Sequence, residues 1–409
     1  MWGYDDFPRQ DNHDEEYLDC INFVLSQIQD QEAELKSIKE KFPKISDTIH
    51  QKYELEKSSK VIAHPSDPTR KIASLEKCIP VPIEDLRGNL HSTTKLQDGT
   101  WVVASDSVSG HICKNPENPS VYKYQEVSQW PGAYSVLRAG KLLFFFPPYR
   151  KFKVFKKEIE VHEGRNGIDG TIMQSHMNTT RNIAYYEPLN YVYYVGPQNK
   201  LICVDIGNEF EEVKVFDGVG AFSFYKDKVY VLQMNGNLTC INHKGEKADE
   251  NKSSEEPLFE YDDVRRNPFM PGSLITIDDN SLLATATNLE SDVTDFYIID
   301  PQTLKTKGSL KGWIPMRGVR LTPVLWLKML PRSFLPKDFP ENINLVLSCH
   351  STDMISLIAI VNSTSVIPVN ALKVQTPKGY SGIDFMDILE GEVYLGMGNG
   401  DLMQVEVKF

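Results

Sequence analysis

The chain has 409 residues, 41% hydrophobic and 24% charged, with a formal net charge of −12 at pH 7. That balance is globular, and the length exceeds one ordinary core, so two units or a repeat architecture is expected. The acidity argues against a general nucleic-acid binder, whose affinity needs a clustered positive face. No run of roughly 18 apolar residues occurs, so no membrane span is expected. The start, Met1-Trp-Gly-Tyr-Asp-Asp-Phe7, has neither the basic opening nor the apolar stretch of a secretory signal.

Taken in chain order, residues 1–13 predict an acidic disordered tail. Across residues 1–19, Asp5, Asp6, Asp11, Asp14, Glu15, Glu16 and Asp19 stand against Arg9, with Trp2, Tyr4 and Phe7 interspersed. Residues 14–58 predict a helical, coiled-coil-like arm running into the start of a linker. Ile21, Val24, Ile28, Gln31, Leu35, Ile38 and Phe42 recur at alternating three- and four-residue steps, which places them on one seam. Pro43 ends the run. A helix this short is marginal alone, so the seam needs a cover. Three covers are open: the rest of the same chain, a helix of another protein, or a second copy. Ile21, Val24, Ile28, Leu35 and Ile38 are therefore candidate partner-binding residues. Residues 59–69, ending His64-Pro-Ser-Asp-Pro-Thr69, form a linker.

Beyond the linker one small pattern recurs: an apolar strand, a tight polar turn, a second apolar strand. It is plain in Trp101–Cys113, Tyr191–Val204, Lys228–Ile241 and Glu392–Val405. The second strand of successive units begins near Trp101, Leu142, Tyr191, Val229, Leu282, Ile343 and Val393, a period of roughly 40–60 residues that suits four-stranded propeller blades. Val, Ile, Tyr and Phe fill the strands, while Asn235-Gly236 and Asn399-Gly400 supply hairpin turns. The pattern resembles the WD40-like β-propellers over residues 70–409. It departs from that family's signature, since there is no Trp-Asp dipeptide and Gly110-His111 lies inside a hairpin.

The expected fold is all-β: a seven-bladed β-propeller with an N-terminal α-helical arm. The blades are expected at 88–127, 133–163, 180–217, 219–249, 272–312, 318–374 and 379–409. The last stops after three strands, and Arg70–Glu76 is expected to close the ring as its outer strand. A six- or eight-bladed ring is the alternative, because the 318–374 unit is irregular.

Insertions into a repeat scaffold are the places to look for function. Leu327–Pro340 has prolines at 331, 336 and 340 and the apolar Met329, Leu330, Phe334, Leu335 and Phe339. It is a candidate partner-binding loop, unless it folds back on the rim. In Phe144–Lys157 cations interleave with aromatics, as an acidic partner or single-stranded RNA would require. Arg150, Lys151 and Lys153 are its candidates, although alternation with Phe152 and Val154 equally describes a half-exposed strand. Lys247–Pro257 is polar and predicts a flexible surface loop.

Signatures of catalysis are missing. There is no Gly-x-Ser-x-Gly, no phosphate-binding glycine loop and no His-Glu-x-x-His. His162 and His176 flank a glycine-rich stretch but make a poor metal pair. Six dispersed cysteines without Cys-x-x-Cys point to reduced thiols, not a metal site. No catalytic residue, metal or cofactor is expected. The sequence thus predicts a non-enzymatic scaffold or adaptor subunit in the cytoplasm or nucleus. Its partners are proteins met through a propeller face and a helix–helix contact, with self-association through the helix as an option. Two alternatives stand: a substrate-recognition subunit such as a ubiquitin-ligase receptor, and a propeller enzyme with a channel-centred site.

Overall fold

The apolar runs of the repeat become strands because neighbours cover both their faces. In Trp101–Ser105 and in Leu143–Phe146 every residue is buried. The computed structural model describes residues 73–409 except 87, 119–120, 148–149, 168–182, 244–251, 260–268, 289–290, 292, 315–323, 351–352, 378–381 and 390. These all belong to the second of the chain's two units, Ser66–Phe409. The expected tail, helical arm and linker, with Ile21, Val24, Ile28, Leu35 and Ile38, lie outside the described residues. No helix among the described residues is long and apolar enough to cross a membrane.

The strands form seven sheets, six of four strands and one of five, which excludes six- and eight-bladed rings. From the axis outward, blade 1 is Leu90–Lys95, Trp101–Ser105, Gly110–Lys114 and Tyr122–Glu126, with the short Ile83–Glu84 paired in parallel outside it. Blade 2 is Ser135–Ala139, Leu142–Phe146, Lys151–Lys156 and Ile159–Gly167. Blade 3 is Ile183–Tyr186, Tyr191–Gly196, Lys200–Asp205 and Glu211–Phe216. Blade 4 is Val219–Tyr225, Lys228–Gln233, Leu238–Ile241 and Lys252–Ser253. Blade 5 is Phe269–Asp278, Ser281–Asn288, Val293–Ile299 and Thr306–Trp313. Blade 6 is Val324–Met329, Ile343–His350, Met354–Val361 and Ser365–Lys373. Blade 7 is Ile383–Leu389, Glu392–Met397 and Leu402–Lys408, completed by Ser74–Val81.

Each junction between adjacent blades holds its own apolar cluster. Period-two geometry explains the phenylalanine run of blade 2: Phe144 and Phe146 pack toward blade 3, and Phe145 packs toward blade 1. Leu347 meets Leu395 at the junction of blades 6 and 7, and Trp101 meets Tyr394 where blades 7 and 1 join. The two expected hairpins share one turn chemistry. The Asn235 and Asn399 side chains accept from the backbone N–H two residues on, and Gly236 and Gly400 adopt φ of 85° and 83°. A Cβ on Gly400 would sit 2.8 Å from the Gly88 carbonyl oxygen, so glycine is required there.

The closing strand lies further along the chain than expected. It pairs antiparallel with the last strand from Ser74↔Lys408 to Val81↔Leu402, with a bulge between Leu75 and Lys77. Pro80 makes the segment look like a strand end, yet an outermost strand tolerates proline because one row of its N–H groups has no partner to serve. Asn370 of blade 6 brackets this strand: its Oδ1 accepts from Leu75 N at 3.0 Å, and its Nδ2 donates to Leu75 O at 2.8 Å.

The expected flexible loop Lys247–Pro257 instead supplies blade 4 with its outer strand. Lys252 and Ser253 pair with Cys240 and Thr239, Leu238 N donates to Ser254 Oγ at 3.1 Å, and Leu258 and Phe259 are buried. Blade 6 is irregular because a long loop joins its first two strands, not because a strand is missing.

Candidate functional site

The first strand of every blade faces the axis, and together these strands enclose a channel cavity of about 370 Å³. Its wall is uneven. Blades 2 to 5 contribute mainly Leu137, Ile183, Phe222 and Leu274, whereas blades 6, 7 and 1 bring Lys328, Asp387, Thr93 and His91.

These polar groups tie one blade to the next. His91 Nδ1 lies 2.8 Å from Asp384 Oδ2 of blade 7, and His91 Nε2 meets Asp106 in the turn after the second strand of blade 1. Tyr134 abuts the ring edge-on at 4.6 Å. Burial alone pulls this imidazole down, but the hydrogen bonds and charges of Asp384 and Asp106 outweigh it and raise its pKa above the ordinary value. The stable species is an imidazolium donating both N–H groups. Thr93 Oγ1 donates to Asp387 Oδ2 at 3.1 Å, while Asp387 Oδ1 accepts from Ile388 N at 2.9 Å and from Lys328 Nζ at 3.4 Å. Blades 6, 7 and 1 are thereby linked through one carboxylate.

A ring nitrogen held on each side by a carboxylate has no lone pair left for a substrate proton or a metal. The other partnerships point the same way. His111 packs edge-on against Trp130 at 4.7 Å, and His162 stacks on Phe210 at 4.4 Å. His243 meets the Tyr193 hydroxyl at 2.7 Å and stacks on Tyr186. Burial pushes all three imidazoles below their ordinary pKa. Among the described residues no group of three or more His, Cys, Asp or Glu can hold a metal.

The apolar loop after blade 6's first strand turns inward. Leu330, Leu335 and Phe339 are buried in the junction with blade 7, and the rings of Phe334 and Phe339 close on Phe409 at 5.7 and 6.2 Å. Arg332 staples the loop by donating to the carbonyls of Pro340 and Glu341. Met329 is left 37% exposed. These side chains are placed to seal the rim, because burying them there removes more apolar surface from water than presenting them would.

In blade 2, Arg150 and Lys151 are exposed. Lys153 donates to Glu160 at 2.8 Å. Phe144, Phe145, Phe146, Phe152 and Phe155 are all buried, so the expected interleaving of cations with stackable aromatics does not exist at the surface.

The channel residues escaped sequence reasoning because His91 and Asp384 lie 293 positions apart. One signal was available: each is the second residue of its blade's innermost strand, so aligning blade 1 with blade 7 pairs them.

No family model matches the chain, and no curated protein matches it. Solved structures do. A chain of the S. cerevisiae assembly of Dbp5 bound to Nup159 and Gle1 is 14% identical, over 83% of this chain and 95% of that one, with a TM-score of 0.54. The WD40 propeller domain of Doa1 is 11% identical over 82% and 97%, with a TM-score of 0.54. Virginiamycin B lyase from Staphylococcus aureus is 9% identical over 81% and 99%, with a TM-score of 0.52. The chain is a seven-bladed propeller of WD40-like architecture. Its structural neighbours include an enzyme as well as a WD40 domain, so the fold does not decide the chemistry.

Proposed function

We propose that the chain is a non-enzymatic scaffold or adaptor subunit of a multiprotein complex, acting in the cytoplasm or nucleus. The observation that carries this reading is the commitment of His91, Thr93, Asp387 and Lys328 to blade-to-blade ties. Polar groups that in an enzyme would face a substrate are spent here on holding the ring together. What remains is a rigid set of turn-lined faces suited to protein partners. The likeness to a chain of an assembled Dbp5–Nup159–Gle1 complex supports the same class of role. Partners bind a propeller face and, through Ile21, Val24, Ile28, Leu35 and Ile38, a helix–helix contact.

A narrower form is a substrate-recognition subunit such as a ubiquitin-ligase receptor. It is favoured by Arg138, which donates to the Lys95 carbonyl at 2.8 Å, and by Trp326 and Phe222 in the channel wall. The test is purification of the tagged full-length chain from native cells, beside a variant carrying Ile21→Asp, Ile28→Asp and Leu35→Asp. Stoichiometric co-purifying proteins that drop away with the variant are expected. A chain recovered alone would refute the scaffold reading, and unchanged partners would refute the helix as tether.

A further inference from the structure

The turn edge of blade 2 carries a line of cations that the channel network does not use. Ala139 pairs with Leu142, and Leu142 with Lys156. This register sets the turn at Gly140–Lys141 beside the turn at Lys157–Glu158. Lys141, Lys156 and Lys157 are exposed. Arg138 extends the line toward the channel, its guanidinium donating to the carbonyl oxygens of Lys95 and Gly140 at 2.8 and 3.2 Å. Those acceptors are neutral, and among the described residues Arg138, Lys141, Lys156 and Lys157 make no ion pair. Glu158 is the acid within the strip, and Asp98 lies across from it near His111.

The backbone beneath is fixed. Lys157 holds φ of 57°, and its carbonyl accepts from the Trp130 indole at 3.0 Å. Four cations on a rigid edge, in a chain whose net charge is −12, are a local exception to the protein's own field, and such exceptions set partner choice and on-rate.

We propose that this strip is a docking site for an extended acidic segment, rich in Asp and Glu, of a partner protein. The inference rests on the scaffold reading and names its partner chemistry. A nucleic acid fits less well on two counts. Stacking needs exposed aromatics, and the phenylalanines of blade 2 are buried. A long polyanion also runs past the strip into the negative field of the rest of the chain, whereas a short acidic segment ends within about a Debye length, roughly 8 Å in physiological salt.

The test uses fluorescence anisotropy of the full-length chain with three labelled probes: an acidic peptide of about 12 residues, its Gln/Asn counterpart, and an oligouridylate carrying a comparable charge. The acidic peptide should bind at least about tenfold tighter than the amide peptide, and weaken about tenfold between low and high salt. Combining Lys141→Gln, Lys156→Gln and Lys157→Gln should cost about tenfold in affinity with an unchanged Tm, and Arg138→Gln should weaken binding further. Lys305→Gln, on blade 5, should change nothing. Equal binding of the amide peptide, tighter binding of the RNA, or indifference to the triple substitution would overturn the proposal. Failure here with stoichiometric partners still recovered from cells would remove the strip and leave the scaffold reading standing.

Discussion

Replacing His91 with leucine should weaken the seam between the first and last blades in a pH-dependent way. Leucine matches the ring roughly in volume but donates nothing, so Asp384 and Asp106 both lose a charge-assisted partner. A hydrogen bond to a charged group contributes about 1.5–3 kcal/mol, and the Asp384 carboxylate, 23% exposed, keeps most of that value. Asp106 is 39% exposed, and screening reduces its share to about 0–1 kcal/mol. The loss is therefore about 2–4 kcal/mol where the imidazole is charged. In a unit this large, at about 1–2 °C per kcal/mol, that lowers Tm by about 3–6 °C.

The sign with pH follows from the raised pKa of His91 in the folded chain. Its contribution is complete below the unfolded value, about pH 6.5, and is lost as pH rises through the folded value. His111, His162 and His243 act oppositely. Their folded pKa values are depressed, so their contribution is present above the unfolded value and lost as pH falls. The difference between wild type and His91→Leu isolates the clasp from these three. Melting followed by tryptophan fluorescence suits the question, since Trp101 stacks on Tyr122 at 5.2 Å and meets Tyr394 in this very seam. The Tm gap should be widest near pH 6 and shrink toward pH 9. A gap that is absent, or constant with pH, would refute the reasoning.

Asn370→Ala should remove both bonds to Leu75 and cost about 1–3 kcal/mol, and faster hydrogen exchange confined to Ser74–Val81 is the readout. Gly400→Ala forces a Cβ into a left-handed residue facing the Gly88 carbonyl; a loss of about 1–3 kcal/mol is expected from denaturant melts. Ser348 and Ser356 face each other across blade 6, fully buried, with hydroxyls that have no hydrogen-bond partner among the described residues. Changing either to alanine should leave Tm unchanged or raise it, because a buried unsatisfied group is removed.

Repetition made the blade number legible in the sequence. Runs such as Trp101–Ser105 and Lys228–Gln233 declare themselves as strands through their own side chains, and Asn-Gly pairs declare the hairpins between them. Propensity and turn chemistry act over a few residues, so a single chain suffices to reveal them. The apolar loop at 330–342 was visible as an insertion, but whether it faced a partner or the rim depended on Phe409 and the blade 7 core, which no local pattern encodes. The cations of Phe144–Lys157 were visible too. Their phenylalanines turned inward because two neighbouring blades compete for both faces of one sheet, which made Arg138 and Lys141 part of the basic edge and withdrew the aromatics from it.

Tertiary structure alone decided the closure and the channel. Pro80 marks a strand end to any local reading and is accommodated only because Ser74–Val81 lies outermost. His91 acquires its charge from Asp384, a residue nearly the length of the propeller away in sequence. Ring closure brings such residues together at a cost that grows only slowly with the chain between them, and nothing near either residue records the encounter.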